Sequence, residues 1–224
     1  AARVDTVHPH PVIAAMNVMR YDAAAIGNHE FNYGLATLGR AIKQASFPFL
    51  AANAYLANGP RAYPAYVIVR RGELRVGIVG ATTPGSMLWD RDNLRGRVII
   101  RDIVPEVRTA VAEARAKGAD VIVVTMHSGL TGPASYDTAT TGVPSENVAA
   151  RVAREVPGID LIVFGHSHQE LADTIIGSTR LLQPKNWATS VGVAHLFLER
   201  SGGTWRVAGS RGATVQARGH AESS

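Results

Sequence analysis

Four histidines stand just after short apolar runs, each within three residues of a glycine. Residues 23–26 lead into Gly27-Asn28-His29-Glu30, residues 121–125 lead to His127-Ser128-Gly129, and Leu161–Phe164 runs into Gly165-His166-Ser167-His168. Imidazole is the commonest metal ligand in proteins, and the amide oxygen of Asn28 adds a neutral donor. Glycine permits close backbone approach and positive φ, as a turn feeding a site requires. His166 and His168 are two positions apart, so an extended chain would face them the same way. In a loop they diverge and can reach two neighbouring ions. One such ending is a weak signal, but three distant segments ending alike point to a shared metal centre.

The elements that must position these residues alternate along the chain. Helices are read at 10–20 (stripe Val12, Ile13, Met16, Met19), at 34–45 (Leu35, Leu38, Ile42) and at 103–117 (Val104, Val107, Val111, Ala114). Asp102 is the expected N-cap of the third, with Gly118 just past its end. A further helix is expected to be capped by Ser145, to carry Val148, Val152 and Val156, and to stop at Pro157-Gly158. Strands are read at 23–26, 49–52, 120–125 and 161–164. Hairpins pair 65–70 with 74–79, 173–176 with 180–183, and 193–199 with 204–208. This alternation predicts a layered α/β fold, two mixed sheets packed face to face with helices outside, and open α/β sheets form their sites at the carboxyl ends of strands. Domain bounds are read as 1–210, followed by a mobile tail or linker stub at 211–224, where the chain turns Gly-, Ala- and Ser-rich.

Composition excludes several classes. The chain has 224 residues, 46% hydrophobic and 18% charged, which rules out a disordered chain or a coiled coil. Cysteine is absent, so disulfides, iron–sulfur clusters and thiolate zinc sites are excluded. No apolar run is long enough to cross a membrane. Lysine and arginine number 23 against 18 acidic residues, a net +5. The basic residues are scattered, whereas a nucleic-acid-binding face needs them clustered, so no nucleic-acid polymer is expected as partner.

The segment Gly27-Asn28-His29-Glu30-Phe31-Asn32-Tyr33-Gly34-Leu35, with His127-Ser128-Gly129 and Gly165-His166-Ser167-His168, resembles the binuclear metallophosphoesterases of the 5′-nucleotidase branch. His10-Pro11-Val12, Trp89-Asp90, Lys117-Gly118-Ala119-Asp120, Ser145-Glu146-Asn147 and Val156-Pro157-Gly158 bring it nearer to the bacterial 2′,3′-cyclic-nucleotide 2′-phosphodiesterase/3′-nucleotidase group. The similarity runs over about residues 8–200.

The resemblance implies that Asn28, His127 and His166 are ligands of one divalent ion, that His168 is a ligand of a second, and that His29 is the catalytic histidine facing the phosphate. The ions (Zn, Mn, Mg, Ca or Co) would polarise the phosphoryl group and activate a bridging water for in-line attack. Glu30 and Asn32 would support these residues without binding an ion. In plain 5′-nucleotidases the position of Asn32 is an aspartate that orients the imidazole; the cyclic-phosphodiesterase group has asparagine there, as here. Substrates implied are 2′,3′-cyclic nucleotides and 3′-nucleotides, with 5′-nucleotides or UDP-sugars as the alternative. A periplasmic or extracellular location is expected from the family, although the chain shows no signal peptide.

The family's Asp-x-His and Gly-Asp segments precede its Asn-His-Glu motif. Residues 1–27 hold Asp5, Asp22, His8 and His10, but neither motif. The expectation is an N-terminally incomplete domain that lacks the bridging carboxylate, with a C-terminal substrate domain expected in the intact parent. A catalytically incomplete fragment binding at most one metal is therefore a rival reading. His8, His10, His195 and His220 are read as surface or structural. Trp89-Asp90 either borders the substrate cleft or anchors a loop, and Asn147 either serves the site or makes a local hydrogen bond.

Overall fold

The computed structural model describes residues 10–217, so His8 and His220 lie outside the described residues. The chain opens with α1 (Pro11–Val18), β1 (Ala24–Ala25), a 3₁₀ turn at His29–Phe31, α2 (Gly34–Gln44), β2 (Phe49–Leu50) and β3 (Ala54–Leu56). A hairpin, β4 (Tyr66–Arg71) and β5 (Leu74–Ala81), precedes two single-turn helices, α3 (Ser86–Trp89) and α4 (Arg91–Leu94). Next come β6 (Val98–Ile100), α5 (Ile103–Ala116), β7 (Val121–Met126), α6 (Thr138–Thr141), α7 (Ala149–Glu155) and β8 (Leu161–Phe164). The chain closes with two hairpins, β9 (Leu171–Ile176) with β10 (Thr179–Gln183), and β11 (Ser190–Ser201) with β12 (Thr204–Gln216).

A six-stranded mixed sheet in the order β4-β5-β7-β8-β10-β9 is the frame. Its four inner strands are parallel, and the hairpin partners β4 and β9 run antiparallel at the edges. Parallel inner strands are buried on both faces and need continuous apolar runs. Val121-Ile122-Val123-Val124 and Leu161-Ile162-Val163-Phe164 supply them, with Ile122 and Ile162 fully buried. α5 covers one face through Ile103, Val104, Val107, Ala110, Val111 and Ala114. Its N-cap is Asp102 as expected, accepting from the Val104 N–H.

The mixed α/β layering with sheets packed together follows the sequence reading. The rest of the sheet structure is three two-stranded ladders: β1–β2 parallel, β3–β6 antiparallel and β11–β12 antiparallel. The N-terminal layer has a core of its own, around Ile26, Phe31, Leu38, Phe47, Leu94 and Ile100. It meets the main sheet where Gly80 of β5 lies against Leu50 of β2. A Cβ at Gly80 would stand 2.2 Å from the Leu50 Cβ, so only glycine allows the two layers to touch there. α1 buries less than its stripe suggests: Ile13 is buried, whereas Val12 and Met19 are exposed.

Two expectations are corrected. Residues 211–216 are not a mobile tail; β12 continues through Gln216, pairing Ala213 with Val193 and Val215 with Val191. Gly212, which read as linker composition, is instead a close approach, since a Cβ there would lie 3.0 Å from the Ala172 oxygen of β9. Ser145 does not cap the fourth predicted helix. α7 begins at Ala149, while the Ser145 hydroxyl accepts from the Asn147 N–H in the preceding turn. The Val148 N–H is taken up by Ser128 Oγ at 3.0 Å instead, which ties the start of α7 to the loop after β7.

Candidate metal centre

Because β5, β7 and β8 are parallel and in register, Ala81, Met126 and Phe164 finish level with one another. The loops that follow therefore leave the sheet along one edge. His127 is held there by its N–H to the Ala81 oxygen at 2.9 Å. β1 delivers Gly27 and Asn28 to the same edge. A Cβ on Gly27 would lie 2.9 Å from Glu30 Oε2 and 3.0 Å from His127 Nδ1, so glycine is what lets this loop reach the imidazole.

Three side chains converge. His127 Nε2 stands 2.7 Å from Asn28 Oδ1 and 3.2 Å from His166 Nδ1. The two rings meet edge to face with centroids 4.9 Å apart. The other nitrogen of His166, Nε2, donates to Glu146 Oε2 at 2.9 Å. The carboxylate can only accept, so the His166 proton sits on Nε2 and the lone pair sits on Nδ1, facing His127 and Asn28. His166 takes positive φ (75°), an arrangement a non-glycine residue adopts against steric preference and one that clusters at functional sites.

Burial, with the neighbouring charges of His166, His29 and His168 after it, pushes the His127 imidazole from its ordinary 6.5 down to about 3. His127 is therefore neutral near pH 7, with one of its two ring nitrogens unprotonated. Donors sharing one cation at ligand lengths of about 2.0–2.2 Å stand roughly 3 Å apart. The separations of 2.7 and 3.2 Å thus fit a divalent ion held by one amide oxygen and two imidazoles. Among the described residues, no three histidine or acidic side chains gather tightly enough to hold an ion by themselves.

His168 makes different contacts. Its ring meets Trp187 at 6.0 Å, its backbone oxygen accepts from Lys185 Nζ at 2.9 Å, and it too has positive φ, 55°. His29, on the 3₁₀ turn, donates from Nδ1 to Asn32 Oδ1 at 2.8 Å, and Asn32 Nδ2 donates to Asp90 Oδ1 at 2.9 Å. Glu30 accepts from the Gly27 N–H at 2.8 Å and so braces the loop that carries Asn28. Of the other described histidines, His10 precedes α1 and His195 lies exposed on β11.

Glu146 was not singled out by sequence reasoning, and Asp90 was read only with Trp89 as a cleft border or a loop anchor; both lie in segments that carried the resemblance. Glu146 is 3% exposed; its other oxygen takes the Ser135 N–H, and its backbone oxygen takes the Ser128 hydroxyl. The Trp89 ring packs over Gly85, where a Cβ would lie 2.3 Å from it, which makes it a loop anchor, and its centroid is 5.7 Å from that of His166. Asn147 donates to the Pro133 oxygen at 2.8 Å, across the loop between β7 and α7.

The arrangement has counterparts. The model of the calcineurin-like phosphoesterase family matches residues 7–170. The trifunctional nucleotide phosphoesterase YfkN of Bacillus subtilis is 35% identical over 236 residues, spanning 96% of this chain and 16% of the relative. The 2′,3′-cyclic-nucleotide 2′-phosphodiesterase/3′-nucleotidase of Salmonella typhimurium is 34% identical over 221 residues, spanning 88% of this chain and 33% of the relative. The chain therefore spans a third or less of these curated relatives. The crystal structure of calcineurin-like phosphoesterase YfkN from Bacillus subtilis superimposes with a TM-score of 0.87 at 33% identity, covering 96% of this chain and 69% of that one. With the parallel strands, their histidine-bearing ends and this match all lying in the same span, the chain belongs to the calcineurin-like phosphoesterase family.

Proposed function

We propose that this chain forms the metal-binding and catalytic edge of a phosphoester hydrolase acting on nucleotides, with 2′,3′-cyclic nucleotides and 3′-nucleotides as preferred substrates. The observation that carries the reading is the convergence of Asn28 Oδ1, His127 Nε2 and His166 Nδ1, with the His166 lone pair aimed inward by Glu146. The substrate class is supported by relatives named for that activity at 34–35% identity; 5′-nucleotides are the alternative, since a 5′-nucleotidase of Vibrio cholerae is 31% identical over 169 residues.

In this reading Asn28, His127 and His166 hold a divalent ion and His168 addresses a second. Bound metal would supply Lewis-acid polarisation of the phosphoryl oxygens and a more acidic water. His29 faces the phosphate: Asn28 beside it takes up the ligand role, and neighbouring side chains on a turning backbone point apart. Asn32 holds Nδ1–H of His29, so Nε2 carries a proton only in the imidazolium form, and that form would deliver it to the leaving oxygen, a contribution of about 10²–10⁴-fold in rate. The Trp89 ring lies beside His166, with centroids 5.7 Å apart.

Turnover of 2′,3′-cyclic AMP, 3′-AMP and 5′-AMP, measured side by side with added Zn²⁺ or Mn²⁺, tests the proposal. Faster hydrolysis of the first two supports it, and preference for 5′-AMP moves the chain to the alternative. A second reading has its own observation. The three converging donors are all neutral, so nothing among them compensates a dication, and two cations at close range repel strongly without a carboxylate between them. Ion binding without turnover of any of the three nucleotides would favour that reading, a binding domain that holds one metal.

A further inference from the structure

The imidazole of His29 is held through an amide and not directly by a carboxylate. Its Nδ1 meets Asn32 Oδ1 at 2.8 Å, and Asn32 Nδ2 meets Asp90 Oδ1 at 2.9 Å. An asparagine side chain is ambiguous by shape, because its oxygen and nitrogen edges are nearly the same size. Asp90 removes the ambiguity. A carboxylate accepts and does not donate, so the edge of Asn32 facing it must be the NH₂. The opposite edge, facing His29, is then the oxygen. An oxygen can only accept, so the proton of a neutral His29 must sit on Nδ1, and Nε2 is left to face outward.

Asp90 is an unusual residue to find there for structural reasons alone. It is 5% exposed, and its second oxygen, Oδ2, has no hydrogen-bond donor among the described residues. An unsatisfied buried polar atom costs about 1–3 kcal/mol, and such groups in folded proteins call for an explanation. The carboxylate sits in the bend between α3 and α4, and the Asp90 oxygen and N–H are both used by the backbone of those turns. Asn93, one turn on, donates to the Phe31 oxygen at 2.9 Å and so locks this bend against the 3₁₀ turn that carries His29.

We propose that Asp90 is a positioning residue for the catalytic face. Acting through Asn32, it fixes the His29 ring in its Nδ1–H form and in one orientation. The proposal rests on the phosphoester-hydrolase reading for the role of His29, but its primary test needs no turnover.

The test is histidine-selective ¹⁵N NMR of the 224-residue chain, with the His29 signals assigned by their loss in His29→Gln. In the unsubstituted protein His29 should show a protonated Nδ1 and a bare Nε2. In Asp90→Asn the charge that orders Asn32 is gone, the amide can turn over, and both tautomers should appear. The exchanged pair Asn32→Asp/Asp90→Asn puts a carboxylate directly on Nδ1 with an amide behind it, and should restore the Nδ1–H form. Where turnover is measurable, kcat should fall at least tenfold in Asp90→Asn with KM little changed, and recover in the exchanged pair. A purely structural Asp90 would lose thermal stability on Asp90→Asn and leave the tautomer as it was. An unchanged His29 tautomer in Asp90→Asn, or an exchanged pair that folds but does not restore it, overturns the proposal. Absence of nucleotide turnover with the tautomer behaving as described counts against the hydrolase reading alone, and the role of Asp90 as a positioning residue stands.

Discussion

Which nitrogen of a histidine carries the proton follows from the partner that each ring nitrogen meets. Glu146 decides it for His166, and its replacement by glutamine removes a carboxylate–histidine bond of the kind that orients metal ligands. Glu146→Gln is expected to weaken Zn²⁺ binding about 10–100-fold, measured by competition with a chelating dye, while the far-ultraviolet circular dichroism is unchanged. For His127 the decisive influence is burial. Its pKa falls from 6.5 to about 3 in the folded chain. Between these values the unfolded chain takes up a proton that the folded chain refuses, so the stability from His127 is fully present above about pH 6.5 and drains away as the pH falls toward 3. Urea midpoints at pH 7.5, 6 and 4.5 should decline in that order, and His127→Gln should flatten the decline. A midpoint that rises on acidification would contradict the neutral, buried imidazole.

Parallel strands that finish level turn scattered histidines into a cluster, and the strands were the most legible part of the sequence. The apolar runs of β7 and β8 are too continuous for a half-exposed strand, and their ends could be read to within a residue. The short pieces were illegible. β3 and β6 have three residues each, too few for any period to show, and they exist because they pair with each other. The end of β12 was missed for a related reason: its Gly-rich sequence resembles a linker, and only its pairing with β11 and its contact with β9 make it a strand. The elements also set where substitutions hurt. Ile122→Ala, in the fully buried middle of β7, should lower stability by about 2–5 kcal/mol in denaturant titrations. Gly80→Ala forces a methyl into Leu50 and should lower it by about 1–3 kcal/mol through overpacking. If Gly80→Ala is neutral, the two layers are not in the close contact described.

At the scale of the whole molecule, the two layers differ in what they bring. The main sheet supplies His127, His166 and His168 from its strand ends, and the N-terminal layer supplies Asn28 and His29, so the candidate centre lies on the seam between two separate cores. The centre was legible to the extent that its donors end strands. The supporting acids were not, since Glu146 and Asp90 sit in loops whose sequences carry no period and whose partners are distant in the chain. No described helix is long and apolar enough to cross a membrane. The most direct measurement is calorimetric titration of the 224-residue chain with Zn²⁺. Binding of an ion is expected that is lost in His127→Asn and in His166→Asn and kept in His29→Asn, whose effect should fall on turnover. Binding that survives both His127→Asn and His166→Asn, or that disappears in His29→Asn, would contradict a metal centre built from Asn28, His127 and His166.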